Sequence, residues 1–164
     1  MNTRALLISL PLLALLGACG GPGESASAPE AQPAGATFAD IGDHEVHFSA
    51  QTTDQLPPQF AQLHNIVRSK NRAMLNVSVI GKADNKPVTA NVSVRTVNLT
   101  GQLKNVTIRE VTEGNPDTDD FVAIYYIGET NVANRESLVF TISVMPDGAN
   151  KTSEVKFQRE FFTD

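Results

Sequence analysis

The sequence predicts an all-β fold, an immunoglobulin-like antiparallel β-sandwich of about seven strands with one short helix near residues 56–67. Apolar and polar residues alternate with a period of two in short stretches, which places alternate side chains on opposite faces of a strand. Turn-forming residues separate these stretches at the spacing that is typical of sandwich strands. A small barrel is the alternative architecture.

The predicted strands follow one another over most of the chain. Residues 121–127 are apolar at nearly every position, which indicates a strand that is covered on both faces. Asp147 and Gly148 form a turn dipeptide, so the last two strands are expected to form a hairpin. The predicted strands lie at 45–48, 75–79, 88–95, 106–109, 121–127, 138–144 and 155–161.

One segment departs from the two-residue alternation. Leu56, Phe60, Leu63 and Val67 recur at helical spacing, and two prolines stand where the first helical turn would begin. This pattern predicts a short helix that packs over one end or edge of the sheets.

The N-terminal residues predict export and lipid attachment. Arg4 and the apolar run from Ala5 to Leu16 make up a secretory signal that is too short to span a bilayer. Leu16-Gly17-Ala18-Cys19 resembles the lipobox of bacterial lipoproteins, so residues 1–18 are expected to be cleaved and Cys19 to carry fatty acyl chains. Each buried methylene contributes about 0.8 kcal/mol, and two or more chains attach a protein stably.

The expected location is the periplasmic face of the bacterial outer membrane. Gly20 follows the cysteine, at the position where an aspartate would suggest retention in the inner membrane of enterobacteria. Residues 19–36, rich in Ala, Ser, Pro and Gly, are expected to form a flexible tether. Residues 37–164 remain as one β-sandwich domain, and none of its segments is long and apolar enough to predict a membrane span.

The composition excludes several classes of function. Loss of Arg4 with the leader leaves 12 Lys and Arg against 18 Asp and Glu, a net charge of −6, whereas nucleic-acid-binding domains usually present a basic face. Cys19 is the only cysteine, so its acylation leaves no thiol for disulfides, catalysis or metal binding. The chain has no nucleophile elbow, Gly-rich phosphate loop or helical zinc-hydrolase motif. We therefore expect a non-enzymatic protein without a cofactor. The alternative is an enzyme whose residues meet only on folding, such as His44 or His47 with Asp43.

Three stretches resemble a known family. They are Gly-Asp-His-Glu-Val-His-Phe at 42–48, Arg-Ser-Lys-Asn-Arg-Ala-Met-Leu at 68–75 within 66–79, and Lys-Phe-Gln-Arg-Glu-Phe-Phe at 156–162. Together they resemble exported proteobacterial proteins that share domain of unknown function 4426 (DUF4426), over residues 38–164. The resemblance implies an immunoglobulin-like sandwich and no catalytic residue, because the family has no assigned activity. Its members usually carry an ordinary signal peptide, so the lipobox and tether would be a departure.

Arg68, Lys70 and Arg72 form the densest basic run of the chain. In an extended chain their side chains project to one side, where they could bind carboxylates or phosphates, and arginine suits a bidentate contact. We interpret them as a partner or anion surface. The alternative is that they lead into a strand with their charges solvated or paired with nearby acids.

In the last predicted strand, Arg159 falls on the same face as the apolar residues. A charge on an apolar face costs several kcal/mol unless it is paired and hydrogen-bonded. We therefore expect either a buried ion pair, with Asp43 or Glu45 as the acid, or a ligand-binding arginine on a partly open face.

Acidic and imidazole side chains provide weaker metal candidates. Glu113, Asp117, Asp119 and Asp120 crowd one loop and could offer oxygen ligands to calcium, although their order does not fit an EF-hand and a solvated turn is the alternative. The histidines predict no metal site. His44 and His47 fall on opposite faces of a strand, and only folding could bring His64 near either.

The leading interpretation is a lipid-anchored interaction module that binds an envelope protein. It would use a sheet edge, by strand addition, or the surface around Arg68, Lys70 and Arg72. The alternative is a periplasmic module that binds a small anionic ligand or a metal.

Overall fold

A computed structural model describes residues 35–114, 118 and 123–164. Two antiparallel sheets form in these ranges, with strand orders β1-β2-β3-β7-β6 (the first sheet) and β5-β4-β8-β9 (the second sheet). The predicted all-β sandwich is confirmed. The strands are β1 (Phe38–Ile41), β2 (His44–Thr52), β3 (Arg72–Gly81), β4 (Ala90–Asn98), β5 (Leu103–Lys104), β6 (Arg109–Glu113), β7 (Ala123–Asn131), β8 (Glu136–Pro146) and β9 (Ser153–Phe161). A 3-10 turn spans Thr53–Gln55, and helix α1 spans Pro58–Leu63.

The main core lies between the two sheets and is built from alternate residues of the long strands. Phe157 of β9 connects the sheets, because its ring stacks on Phe48 of β2 and on Phe140 of β8, with centroid distances of 4.6 and 4.9 Å. Aromatic pairs of this kind contribute about 0.5–1.5 kcal/mol beyond their buried area. The predicted hairpin between the last two strands is confirmed, with Gly148 at a φ of 80° in its turn.

A buried tyrosine makes a second connection between the sheets. The Tyr126 hydroxyl accepts a hydrogen bond from the Ala90 backbone N–H at 2.7 Å and donates one to Glu110 Oε2 at 3.0 Å. Burial, together with the contact to Glu110, raises the pKa of Tyr126 to about 12. The phenol therefore stays protonated at neutral pH and keeps its role as a donor.

Strand β7 is buried on both faces, as the sequence predicts for a covered strand. Ile124 and Tyr126 face the main core, whereas Tyr125 and Ile127 face a second apolar cluster on the outer side of the first sheet. The buried members of that outer cluster are Leu56, Ala61, Ile66, Met74 and Ile127. Residues 53–69, which include α1, cover this outer face.

The helix differs from its prediction in length, position and buried residues. It has six residues and packs over a sheet face, not over an end or edge of the sheets. Leu63 and Val67, expected to be buried, are 69% and 61% exposed. The periodicity fails because α1 ends at Leu63 and Asn65 adopts a φ of 55°, which turns the chain and buries Ile66 instead.

The covering segment is closed by the hydroxyl of Thr53, which is fully buried. Its Oγ1 accepts a hydrogen bond from the Ser69 backbone N–H at 2.9 Å and donates to the Val67 carbonyl oxygen at 2.9 Å. These bonds join the two ends of the segment, 14 and 16 residues apart in sequence. The segment is therefore held down at both of its ends.

The strand predicted at 106–109 is wrong for most of its length. Residues 105–108 form no strand and cross from β5 of the second sheet to β6 of the first, which begins at Arg109. The short strands β1 and β5 were not predicted, because four and two residues show too little alternation to identify. Among the described residues, no helix has the length and apolar character that a membrane crossing requires.

The crossing segment packs directly on Gly128, and this contact can be tested. A Cβ atom at Gly128 would lie 2.7 Å from Val106 Cγ1 and 2.7 Å from Ile108 Cδ1. Gly128→Ala should therefore lower the free energy of unfolding by about 1–3 kcal/mol, measured by urea denaturation. In a Val106→Ala/Ile108→Ala background the same change should cost less, because space has been made. An equal cost in both backgrounds would contradict this packing.

Candidate functional site

The predicted basic run does not lie on one side of an extended chain. Residues 70–71 form a turn before β3 begins, so the three cations do not stand on one extended chain and the expected arrangement is wrong. Arg72 Nη1 lies 3.3 Å from Glu129 Oε2, an ion pair with the neighbouring strand β7. Lys70 is exposed. The alternative of solvated and paired charges therefore describes Lys70 and Arg72.

Arg68 stays at the surface next to exposed apolar side chains. Its Nη2 donates a hydrogen bond to the Asp54 backbone oxygen in the 3-10 turn, which fixes the side chain while most of its five N–H donors remain available. Leu63 and Val67 are exposed on the same covering segment. We call Leu63, Val67, Arg68 and Lys70 the basic–apolar surface.

Arg72 also lines a groove beside a second ion pair. The groove has a volume of ≈ 450 Å³ and runs past Leu103, Lys104 and Glu129. Lys104 Nζ lies 2.7 Å from Glu136 Oε1. Both cations in this groove therefore have a carboxylate partner, so the groove shows no excess of positive charge that would favour an anion.

Glu136, the partner of the groove residue Lys104, is held by several hydrogen bonds. Burial alone would raise its pKa, but hydrogen bonds from Lys104, the Ala133 backbone N–H and Asn98, with the charge of Lys104, lower the pKa from its ordinary value of 4.5. The contacts measure 2.7, 2.9 and 3.3 Å. Through these hydrogen bonds Glu136, at the start of β8, connects β5, β4 and the turn before β8.

Arg159 does not form the buried ion pair that the sequence predicts. Arg159 is one of the alternate residues on the inward face of β9, but it is exposed. The described residues contain no ion pair that involves it. The ion-pair prediction fails because β9 is the edge of the second sheet and the Arg159 side chain reaches water there, whereas the ligand-binding arginine stays a prediction. An inward-pointing charge on an edge strand discourages pairing with another chain.

The calcium candidates are only partly described. Asp117, Asp119 and Asp120 lie outside the described residues, while Glu113 ends β6. Within the ranges that the structure covers, no three His, Cys, Asp or Glu side chains come together to hold a metal ion. The predicted lipidation site, Cys19, the signal peptide and the tether up to residue 34 also lie outside the described part.

A cluster that the sequence did not reveal lies on the outer face of the first sheet. We call His64, Glu113 and Tyr125 the His64 cluster. The Tyr125 hydroxyl donates a hydrogen bond to Glu113 Oε1 at 2.5 Å, and His64 Nε2 lies 3.2 Å from the Tyr125 hydroxyl and 3.3 Å from Glu113 Oε1. Because the phenol has only one hydrogen, His64 satisfies both contacts when Nε2 carries a proton and donates.

The surroundings of the His64 cluster hold its members in place. Phe60 packs on His64 with ring centroids 4.3 Å apart, and Arg109 Nη2 donates to the His64 backbone oxygen at 2.7 Å. Burial, followed by the hydrogen bond and charge of Glu113, raises the pKa of Tyr125 well above its ordinary value of 10. The His64 side chain is 7% exposed and that of Glu113 is 42% exposed, so the cluster opens to solvent on the glutamate side.

Sequence reasoning missed this cluster because its members are far apart in the chain. His64 is separated by 49 residues from Glu113 and by 61 from Tyr125. The available signal was the strand predicted to be covered on both faces, because its outer face needs a covering element and the chain offers one predicted helix for that place. The other histidine contact is local, between His47 Nε2 and Glu45 Oε2 at 3.2 Å on the exposed side of β2.

Comparisons with known proteins identify the domain but no activity. The family model of a domain of unknown function, DUF4426, matches residues 38–164. The crystal structure of a DUF4426 family protein from Pseudomonas aeruginosa PAO1 is similar, with 31% identity, a TM-score of 0.64 and coverage of 77% of this chain and 94% of that chain. A family 123 glycoside hydrolase from Clostridium perfringens has 12% identity and a TM-score of 0.32 over 71% of this chain and 27% of its own. No curated protein matches.

The Glu136 contacts predict a pH-dependent contribution to stability. Because folding lowers the pKa of Glu136, its contribution is present above pH 4.5 and is lost as the pH falls through the lower pKa of the folded state. Glu136→Gln should lower the free energy of unfolding by about 1–3 kcal/mol at pH 7, and this difference should shrink below pH 4.5. Glu154→Gln, at an exposed position of β9, is the control. A Glu136→Gln deficit that is independent of pH would contradict this account.

Proposed function

This chain belongs to the DUF4426 family, and from its own residues we propose that it is a lipid-anchored, non-enzymatic interaction module of the bacterial envelope. Cys19 would hold it at the periplasmic face of the outer membrane, and the tether would present the β-sandwich to an envelope protein. The observation that carries the proposal is the exposure of Leu63 and Val67 on a segment closed by hydrogen bonds, with the exposed cations Arg68 and Lys70 at its end.

The basic–apolar surface has the composition of an interface. The cores of protein interfaces are apolar, and arginine is enriched in them. Leu63 and Val67 supply apolar area, while Arg68 and Lys70 supply donors for carboxylates. Because most of the chain's charged residues are acidic, this local excess of positive charge distinguishes the surface. The partner that suits it is a protein with acidic groups around an apolar centre.

The covering segment is also preorganised for binding. The Thr53 hydroxyl bonds both Val67 and Ser69, and Arg68 is bonded to the backbone of Asp54. Binding to a segment that is already ordered costs less conformational entropy than binding to a loop that must fold. This supports a pre-formed docking surface over recognition by a disordered segment.

Strand addition, the other binding mode expected from the sequence, has less support. The edge strands β1 and β5 have four and two residues, which offers little backbone for pairing. The long edge strand β9 carries the inward-pointing charge of Arg159, a feature that natural sheets use against edge pairing. The anion-binding alternative is also weakened, because Arg72 and Lys104 are both paired with carboxylates.

The proposed anchor can be tested by changing a single residue. Cys19→Ala should abolish incorporation of labelled palmitate and move the protein from the membrane fraction to the soluble periplasmic fraction, because no acyl chain remains to partition into the bilayer. The wild-type protein and a Ser25→Ala variant in the tether serve as controls. Membrane retention and labelling of Cys19→Ala equal to wild type would contradict lipid attachment at Cys19.

The proposed surface predicts a partner that depends on its two cations. In-cell cross-linking of the tagged full-length protein, followed by membrane purification and mass spectrometry, should recover one or two specific proteins. Arg68→Ala/Lys70→Ala should reduce that recovery about tenfold, the effect of losing about 1.4 kcal/mol of binding free energy.

The matched control removes the same charge from the opposite sheet. Arg95 and Lys156 are exposed and lie in one cross-strand row on either side of Thr141. Arg95→Ala/Lys156→Ala should leave recovery unchanged. Equal losses in both double variants, or no loss in the Arg68→Ala/Lys70→Ala protein, would refute the assignment of the basic–apolar surface.

A further inference from the structure

We propose that the His64 cluster is a binding site for a transition-metal ion of the Zn²⁺ class. Three donor atoms of different chemistry meet at one point: an imidazole nitrogen, a carboxylate oxygen and a phenol oxygen. They come from three separate elements, since His64 follows α1, Glu113 ends β6 and Tyr125 lies in β7.

The distances between the donor atoms suit a single small ion. Ligand atoms at about 2.1 Å from a tetrahedral metal stand about 3.4 Å from each other. His64 Nε2 lies 3.3 Å from Glu113 Oε1 and 3.2 Å from the Tyr125 hydroxyl. The third separation, 2.5 Å between the Tyr125 hydroxyl and Glu113 Oε1, is that of a hydrogen bond. It would widen by about 1 Å on binding, when the Tyr125 phenol releases its proton to solvent and the His64 proton moves to Nδ1, which frees Nε2 for the ion.

The donor set favours a transition metal over calcium or magnesium. Imidazole suits zinc, copper, iron and nickel, whereas calcium and magnesium take oxygen ligands almost exclusively. Three protein ligands also leave a fourth position for water or for a group from outside. Glu113 is partly exposed while His64 is nearly buried, so an ion can enter from the glutamate side.

The scaffold holds the three donors before any ion arrives. Tyr125 pairs with Val111 across β6 and β7, which sets Glu113 on the neighbouring strand within reach of the phenol. The backbone oxygen of His64 is held by Arg109, and its ring packs against Phe60. Binding geometry of this kind depends on ligands that rigid elements and outer contacts hold in position.

The chain offers a matched control in its other histidine–glutamate contact. His47 Nε2 and Glu45 Oε2 lie 3.2 Å apart, nearly the separation in the His64 cluster, but they are 44% and 37% exposed. In the described part of the chain no tyrosine, cysteine or other acid joins this pair. If any adjacent histidine and glutamate were enough to bind zinc, both pairs would bind it.

Isothermal titration of the full-length protein in detergent with zinc chloride tests the proposal. We expect one Zn²⁺ per chain, with affinity reduced at least tenfold by Tyr125→Phe and by His64→Gln, and unchanged by Glu45→Gln/His47→Gln. Thermal unfolding without zinc shows whether each variant is folded, and the nearly isosteric Tyr125→Phe decides the matter if His64→Gln is not. Absence of binding, or an equal loss in the control variant, would leave the cluster as a hydrogen-bonded structural feature and overturn the proposal. Neither result bears on the partner surface, which uses none of these three residues.

Discussion

Strand β7 is buried on both of its faces, and this burial dictates how the outer face of the first sheet must be covered. A strand that is apolar on both faces needs cover on the side that does not face the second sheet. Residues 53–69 provide that cover, and they are held in place by Leu56, Ala61 and Ile66 below and by the Thr53 hydroxyl at their two ends. The segment thus exists because Tyr125 and Ile127 would otherwise be exposed to water.

The covering segment produces both functional candidates on one face of the molecule. On its outer side it presents Leu63, Val67 and Arg68, and Lys70 follows in the next turn. These exposed side chains remain available to a partner. On its inner side it brings His64 against the outer face of β6 and β7. A single packing requirement therefore places an exposed surface and a nearly buried polar cluster within one short stretch of chain.

Charge elsewhere in the domain is arranged for stability and against aggregation. The pairs Arg72 with Glu129 and Lys104 with Glu136 each connect two strands of one sheet and leave little net charge for a ligand in the groove. Arg159 serves a different purpose at the edge of the second sheet, where its charge opposes pairing with other chains. The electrostatic contrast that remains is the pair of cations, Arg68 and Lys70, at the end of the covering segment of an acidic protein.

Local sequence was enough to predict the all-β class, most of the strands, the two-sided burial of β7 and the final hairpin, because alternation and turn chemistry act between near neighbours. The stretches at 42–48, 66–79 and 156–162 also carry the family resemblance. Which distant side chains meet depended on how the elements pack. The turn after α1 leaves Leu63 and Val67 exposed. Residues 105–108, which pack on Gly128, cross between the sheets where a strand was predicted. Arg159 is exposed because β9 is an edge strand. The His64 cluster joins residues up to 61 positions apart, and no local pattern encodes a contact that arises from the packing of one element on another.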